Sequence, residues 1–313
     1  MRIVKAPRLC KGDLIGLVAP ASTPSSREKV EQGAIYLERL GYRVEVGEHV
    51  QETYGYLAGT DAERVGDLNA FICNRDVKAI VAIRGGYGTP RLLSMVDYRA
   101  LRANPKIIVG YSDITALQMA IYRKIGLVTF SGPMSGVEMW NQIDPYTEEQ
   151  FWRLLTSTKR IGLLQNPEEE STATLRVGKA EGRLLGGNFS LLISLMGTPY
   201  LPNLRKAVLM LEDVDEAPHR IDRMLAQLRN AGVLKNLSGL LFGKFTDCNP
   251  SDPTKPFLTL DQILQEAAES VACPVISNVQ YGHISKKLTI PFGLKTKVDG
   301  KKSRIEVMEA GVE

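Results

Sequence analysis

A chain of 313 residues with 44% hydrophobic and 24% charged residues has the balance of an ordinary globular protein, which excludes a disordered or fibrous one. Its net charge of +4 is too mild to point to a nucleic-acid partner, and no apolar run approaches the ~20 residues of a transmembrane helix. One hydrophobic core seldom organises more than about 250 to 300 residues, so two domains are expected.

In chain order, Arg2, Lys5, Arg8 and Lys11 precede LIGLVAPAS and imitate a secretory leader. Gly12-Asp13 interrupts that pattern, and the short run suits a first strand, Leu14 to Ala19, better. Ser25 or Ser26 then caps a helix to about Leu40, stopped by Gly41, and Tyr42 to Val46 is the second strand. After a polar loop from Gln51 to Thr60, Asp61 is expected to cap a helix to about Asn74. Lys78 to Ile83 is an almost unbroken apolar strand that runs into Arg84-Gly85-Gly86-Tyr87-Gly88 and a further helix. Ile107 to Val109 is a short strand, Asp113 to Ile125 a helix, and Leu127 to Phe130 another strand. This alternation predicts a doubly wound α/β sheet over residues 1–150.

Residues 151–178 lack the alternation, are acidic at Pro167-Glu168-Glu169-Glu170, and read as a connecting segment. From 179 to 313 strands outweigh helices, which predicts a smaller mixed α/β domain. It opens on Glu181 to Asn188 and an apolar helix, Phe189 to Met196. Ala207 to Leu211 is a strand ending at Glu212, followed by a helix to about Asn230. Leu237 to Phe245 and Pro274 to Val279 are strands on either side of a helix, Leu260 to Ser270. The tail from Lys287 to Met308 reads as hairpin strands about Asp299-Gly300.

Open α/β sheets bind ligands beyond the carboxyl ends of their strands, and three reactive residues fall there. Ser112 lies on the sharp turn between a strand and a helix, Glu212 follows VLML, and His283 sits in Gln280-Tyr-Gly-His283 after VISNV. A nucleophile, a carboxylate and an imidazole are what a serine triad needs, in one of its known chain orders. Bland readings stand beside this one. Ser112 or Asp113 also suits a helix cap, and Asp213, Asp215 and Glu216 compete with Glu212. The Gly85-Gly86 loop fails the dinucleotide fingerprint, because Arg91 stands where a third glycine belongs. It is either a plain tight turn or, with the N–H of Asp113, an oxyanion hole through the N–H of Gly86. Cys10, Cys73, Cys248 and Cys273 show no ligand or disulfide spacing, so no metal, no cofactor and a reducing, cytoplasmic setting are expected. Cys248 alone is placed like a nucleophile.

APAS, RGGYG, GYSD, GGN, LEDV with the helix RIDRML, and YGH, in this order, resemble the LD-carboxypeptidase family of serine peptidases from about Gly12 to Phe292. The resemblance implies a flavodoxin- or amidotransferase-like first domain, a β-rich second one, and a triad of Ser112, Glu212 and His283 shared between them. It further implies release of the terminal D-alanine from the murein tetrapeptide, a small peptide substrate, by a cytoplasmic homodimer. His219 stands where the family often has tyrosine before the RIDRML arginine. A carboxypeptidase must bind a free carboxylate, for which Arg84, Arg183 and Arg220 are the candidates. The same family includes immunity hydrolases for aminoacyl-nucleotide antibiotics, whose base needs an aromatic platform; Trp140 and Trp152 are the tryptophans available. A non-catalytic two-domain binding protein is the reading from outside enzymology.

Overall fold

The computed structural model describes residues 2–250 and 252–313, arranged about two sheets. The first half runs β1 (Leu14–Val18), α1 (Arg27–Arg39), β2 (Arg43–Val46), α2 (Asp61–Cys73), β3 (Val77–Ala82), α3 (Thr89–Leu92), α4 (Tyr98–Ala103), β4 (Ile107–Val109), α5 (Ile114–Ile125), β5 (Thr129–Ser131) and α6 (Pro145–Thr156). The second runs β6 (Gly162–Leu164), β7 (Ala173–Arg176), β8 (Lys179–Asn188), α7 (Phe189–Ser194), β9 (Ala207–Val214), α8 (Pro218–Asn230), β10 (Gly239–Thr246), α9 (Leu260–Glu269), β11 (Val275–Ser277), β12 (Ile290–Phe292), β13 (Lys295–Asp299) and β14 (Arg304–Val307).

Strands β2-β1-β3-β4-β5 lie side by side and parallel, the doubly wound order with its switch between β1 and β3. β1, β3 and β4 read as continuous apolar runs because helices cover both faces, and nearly all their residues are buried. β2 is an edge, and it carries the exposed charges Arg43 and Glu45. The second sheet is mixed: β8, β9, β10 and β11 are parallel, while β13, β14 and β6 on one side and β7 on the other run antiparallel.

Four local expectations need correction. The cap of α2 is Thr60, whose side chain accepts from the N–H of Glu63 while Glu63 accepts from the N–H of Thr60. That reciprocal box frees Asp61 to bind Arg91 and Arg64. The single helix expected after Gly88 is two short ones, because Asp97 caps a new start at α4. Residues 151–178 do more than connect, since they finish α6 and supply β6 and β7 to the second sheet. In the tail only β13 and β14 form the hairpin; β12 returns to the first sheet and pairs antiparallel with β5.

The two sheets meet at the start of α5. The end of β8 abuts it, and the N–H of Asn188 donates to Thr115 Oγ1 at 3.0 Å. Gly187 has φ of 124°, and a Cβ there would lie 2.6 Å from Thr115 Oγ1. Only glycine permits that approach.

Candidate active site

β4 ends at Val109, and the chain must turn within four residues to start α5. Ser112 takes this turn with φ of 63°, in the left-handed region that a non-glycine residue seldom occupies. Its surroundings hold it there. Gln118 Nε2 donates to the carbonyls of Gly110 and Phe130, each at 2.9 Å, and the Ser112 carbonyl accepts from the N–H of Thr115 at 2.9 Å. Neither Ser112 nor Asp113 caps α5 through its side chain. The Asp113 carboxylate instead accepts from the N–H of Thr89 at 2.8 Å and so ties the glycine loop to the serine turn. Burial pushes the Asp113 carboxyl above its usual range, against the bonds from Thr89 and Gly88 that favour the carboxylate.

Gly85 packs directly on the serine. A Cβ on Gly85 would lie 2.8 Å from Ser112 Cβ and 3.0 Å from its Oγ. Gly85→Ala is therefore expected to lower turnover by about 10²-fold through displacement of the hydroxyl, and to lower the melting temperature by a few degrees through overpacking. Steady-state kinetics beside a thermal melt measures both. Gly86 lines the same cavity, and Ser22 Oγ accepts from the N–H of Tyr87 at 3.1 Å to fix the loop. Among the described residues the N–H groups of Gly86 and Asp113 have no hydrogen-bond partner.

The histidine comes from the other half. Glu212 lies on β9 with its carboxylate wholly buried, and Oε2 is 2.7 Å from His283 Nδ1. A Cβ on Gly282, whose φ is 132°, would come within 3.0 Å of the same oxygen, so glycine allows the approach. With Nδ1–H donating to the carboxylate, Nε2 is left as an acceptor. Glu212 Oε1 is buried and has no partner among the described residues. Two of the competing acids are engaged elsewhere. Asp213 accepts from Asn188 and Ser190, and Glu216 lies 3.6 Å from Arg220.

Ser112 and His283 line one cavity of about 300 Å³ together with Gly85, Gly86, Arg84 and Lys29. Of the three arginines proposed from sequence, Arg84 is thus at the cavity. Arg183 is bound to Glu309 at 2.6 Å, and Arg220 is exposed on α8 beside Glu216. Lys29 is a cation that sequence reading missed. It lies three residues after the α1 cap Ser26, on a helix entered from the end of β1, and that position was the available signal. Its Nζ sits 4.6 Å above the Trp140 ring, whereas Trp152 is stacked on Tyr42 and donates to Tyr36. Cys248 is buried and its thiol is pushed up to about 12, which removes it as a nucleophile. His49 is bonded to Asp67, and His219 lines a separate depression with Pro218 and Asp222. Among the described residues no cluster of three or more His, Cys, Asp and Glu is placed to hold a metal ion.

A hydroxyl on a strained turn, a carboxylate-bound imidazole and free backbone donors make a site suited to acyl transfer in a two-domain α/β frame. Family models of the LD-carboxypeptidase N-terminal and C-terminal domains match residues 15–132 and 181–298. A probable murein peptide carboxypeptidase of Bacillus subtilis is 39% identical over 310 residues, covering 98% of this chain and 95% of that one. The microcin C7 self-immunity protein MccF of Escherichia coli is 31% identical over 339 residues, covering 98% and 96%. A solved structure of MccF in complex with glutamyl sulfamoyl guanosine superposes with a TM-score of 0.89 at 29% identity, covering 99% of each chain. The muramoyltetrapeptide carboxypeptidase of Oxalobacter formigenes superposes with a TM-score of 0.81 at 29% identity, covering 94% of this chain and 97% of that one. The chain belongs to the LD-carboxypeptidase family of serine peptidases.

Proposed function

We propose that this enzyme is a serine L,D-carboxypeptidase that removes the terminal D-alanine of the murein tetrapeptide. The observation that carries the roles is the pairing of Glu212 with His283 at 2.7 Å, on a cavity that also holds the strained Ser112. His283 Nε2 takes the proton of Ser112 as Oγ attacks the carbonyl between diaminopimelate and D-alanine. The oxyanion is held by the N–H groups of Gly86 and Asp113, and Glu212 stabilises the imidazolium. His283 then gives its proton to the leaving amine, and D-alanine departs. Water, deprotonated by the same nitrogen, hydrolyses the acyl-enzyme and restores the serine.

Arg84 is the carboxylate partner in this reading. Its Nε donates to the carbonyl of Gly85 at 3.2 Å and its Nη1 to that of Thr23 at 3.3 Å, it lines the cavity with Ser112, and among the described residues it has no carboxylate of its own. Mass spectrometry of D-alanine released from L-Ala-D-Glu-diaminopimelate-D-Ala is the direct test. Release is expected from wild type, and Arg84→Ala is expected to raise KM about 10- to 100-fold, the worth of one charge-assisted bond. No release by folded wild type would sink the murein assignment. Similarity to the immunity protein supports a second reading, hydrolysis of an aminoacyl-nucleotide amide, with Trp140 beneath Lys29 near the cavity as its aromatic platform. Aspartyl sulfamoyl adenosine in the same assay separates the two.

The setting we infer is cytoplasmic, with the chain acting as a homodimer. Four unpaired cysteines favour a reducing compartment, and no helix among the described residues is long and apolar enough to cross a membrane.

A further inference from the structure

Behind the imidazole lies a buried ion pair that the proposed chemistry does not use. Lys287 follows His283 on the same loop, and its side chain is only 2% exposed. Its Nζ is 2.6 Å from Glu138 Oε1, which belongs to the first half of the chain. The same carboxylate oxygen accepts from the hydroxyl of Tyr111 at 2.9 Å, and Oε2 accepts from the N–H of Met134 at 2.9 Å. Lys287 Nζ also stands 4.0 Å over the ring of Tyr111. Tyr111 immediately precedes Ser112, and its ring meets that of His283 edge to face at 5.1 Å. The chain of contacts therefore starts on the histidine loop, crosses to the nucleophile's half and ends against the imidazole.

A buried ion pair is weak evidence of added stability. Replacing a buried ion pair by apolar groups of similar volume is often neutral or stabilising, so its presence calls for another reason. The loop is also fastened without it: the N–H of Lys287 donates to Thr147 Oγ1 at 2.9 Å, Thr147 Oγ1 donates to the Ser285 carbonyl at 3.0 Å, and the N–H of Leu288 donates to the Gln280 carbonyl at 2.7 Å. Those bonds hold the backbone, whereas the ion pair reaches the ring. We propose that Lys287 is a positioning residue which, through Glu138 and Tyr111, fixes the His283 ring against Ser112. The proposal rests on the serine–histidine reading above.

The test compares Lys287→Met, Tyr111→Phe and the double variant Lys287→Met/Glu138→Gln with wild type and Ser112→Ala. The variants that keep Ser112 are assayed for D-alanine release per site titrated by a fluorophosphonate, Ser112→Ala per mole of protein, and each is melted. Lys287→Met is expected to lower kcat about 10²-fold with KM within about twofold, the signature of a misplaced base. The double variant removes both buried charges, so it is expected to melt at or above the wild-type temperature while kcat stays low. Tyr111→Phe keeps the ring and loses only the hydroxyl. It is expected to lower kcat about five- to tenfold and serves as the test where Lys287→Met does not fold. Wild-type kcat per titrated site in the double variant, or in Tyr111→Phe, would overturn the proposal, because the pair would then serve packing alone. Undiminished activity in Ser112→Ala would overturn the triad reading itself, a failure distinct from the other.

Discussion

Ser112→Ala is expected to lower D-alanine release by about 10⁵- to 10⁶-fold, the largest effect of any single change, because the acyl-enzyme route is lost with the hydroxyl. Binding of the tetrapeptide should survive, since Arg84 and Lys29 are untouched and the cavity loses only one oxygen. A second substitution at the same position separates chemistry from backbone strain. A non-glycine residue held in the left-handed region costs of order 1–3 kcal/mol, and Ser112 has φ of 63°. Ser112→Gly is therefore expected to be as inactive as Ser112→Ala yet more stable, with a melting temperature higher by roughly 2 to 4 °C per kcal/mol recovered. Alanine keeps a Cβ and should leave the melting temperature near that of wild type. Equal melting temperatures for the two variants would mean that the turn stores no strain. Residual turnover above about 1% of wild type in Ser112→Ala, with contamination excluded by active-site titration, would remove the serine from the mechanism.

The parts of this molecule that were legible in sequence are those where local pattern and tertiary role coincide. Ile107–Val109 was legible as strand, since a parallel strand covered on both faces is apolar throughout and glycine marks its end. Glu212 stood out as an acid at the end of such a run, and burial at the meeting of the two sheets gives that position its meaning. The cap of α2 was also readable, as Thr60 and Glu63 have the spacing of a reciprocal box; Asp61 drew attention because it is acidic, and its task is to hold Arg91. Other features had no local signal. β12 is three residues long with Pro291 at its centre, which is tolerated because it pairs at a sheet edge with a partner far upstream. Lys286 and Lys287 look alike in sequence, as a basic pair in a turn. In the structure Lys286 meets Glu169 in solvent, while Lys287 is buried because Glu138 and Tyr111 arrive from the other half. Burial of that kind is decided by topology, and topology was the part the periodicity could not supply.

Glu212→Gln is the second large effect expected, about 10⁴-fold in kcat with KM little changed, and its reasoning runs through one proton. In the native protein the carboxylate accepts from Nδ1 of His283 at 2.7 Å, so the lone pair on Nε2 is available to the serine. An amide in the same place can turn its NH₂ toward Nδ1 and donate to it. The imidazole then carries its proton on Nε2, where it cannot accept one from Ser112. The charge that offsets the imidazolium in the transition state is lost at the same time. Stability should move the other way. Glu212 is fully buried with Oε1 unpartnered among the described residues, and a neutral amide costs less to bury than a carboxylate. A variant that melts at or above the wild-type temperature yet turns over about 10⁴-fold more slowly would show that the carboxylate serves the chemistry. Glu212→Asp sharpens the test, because it keeps the charge but draws it back by one methylene from Nδ1. It is expected to fall between wild type and glutamine, since it retains the tautomer and loses part of the bond. If glutamine were faster than aspartate, reach would matter more than charge and tautomer, and the tautomer argument would fail.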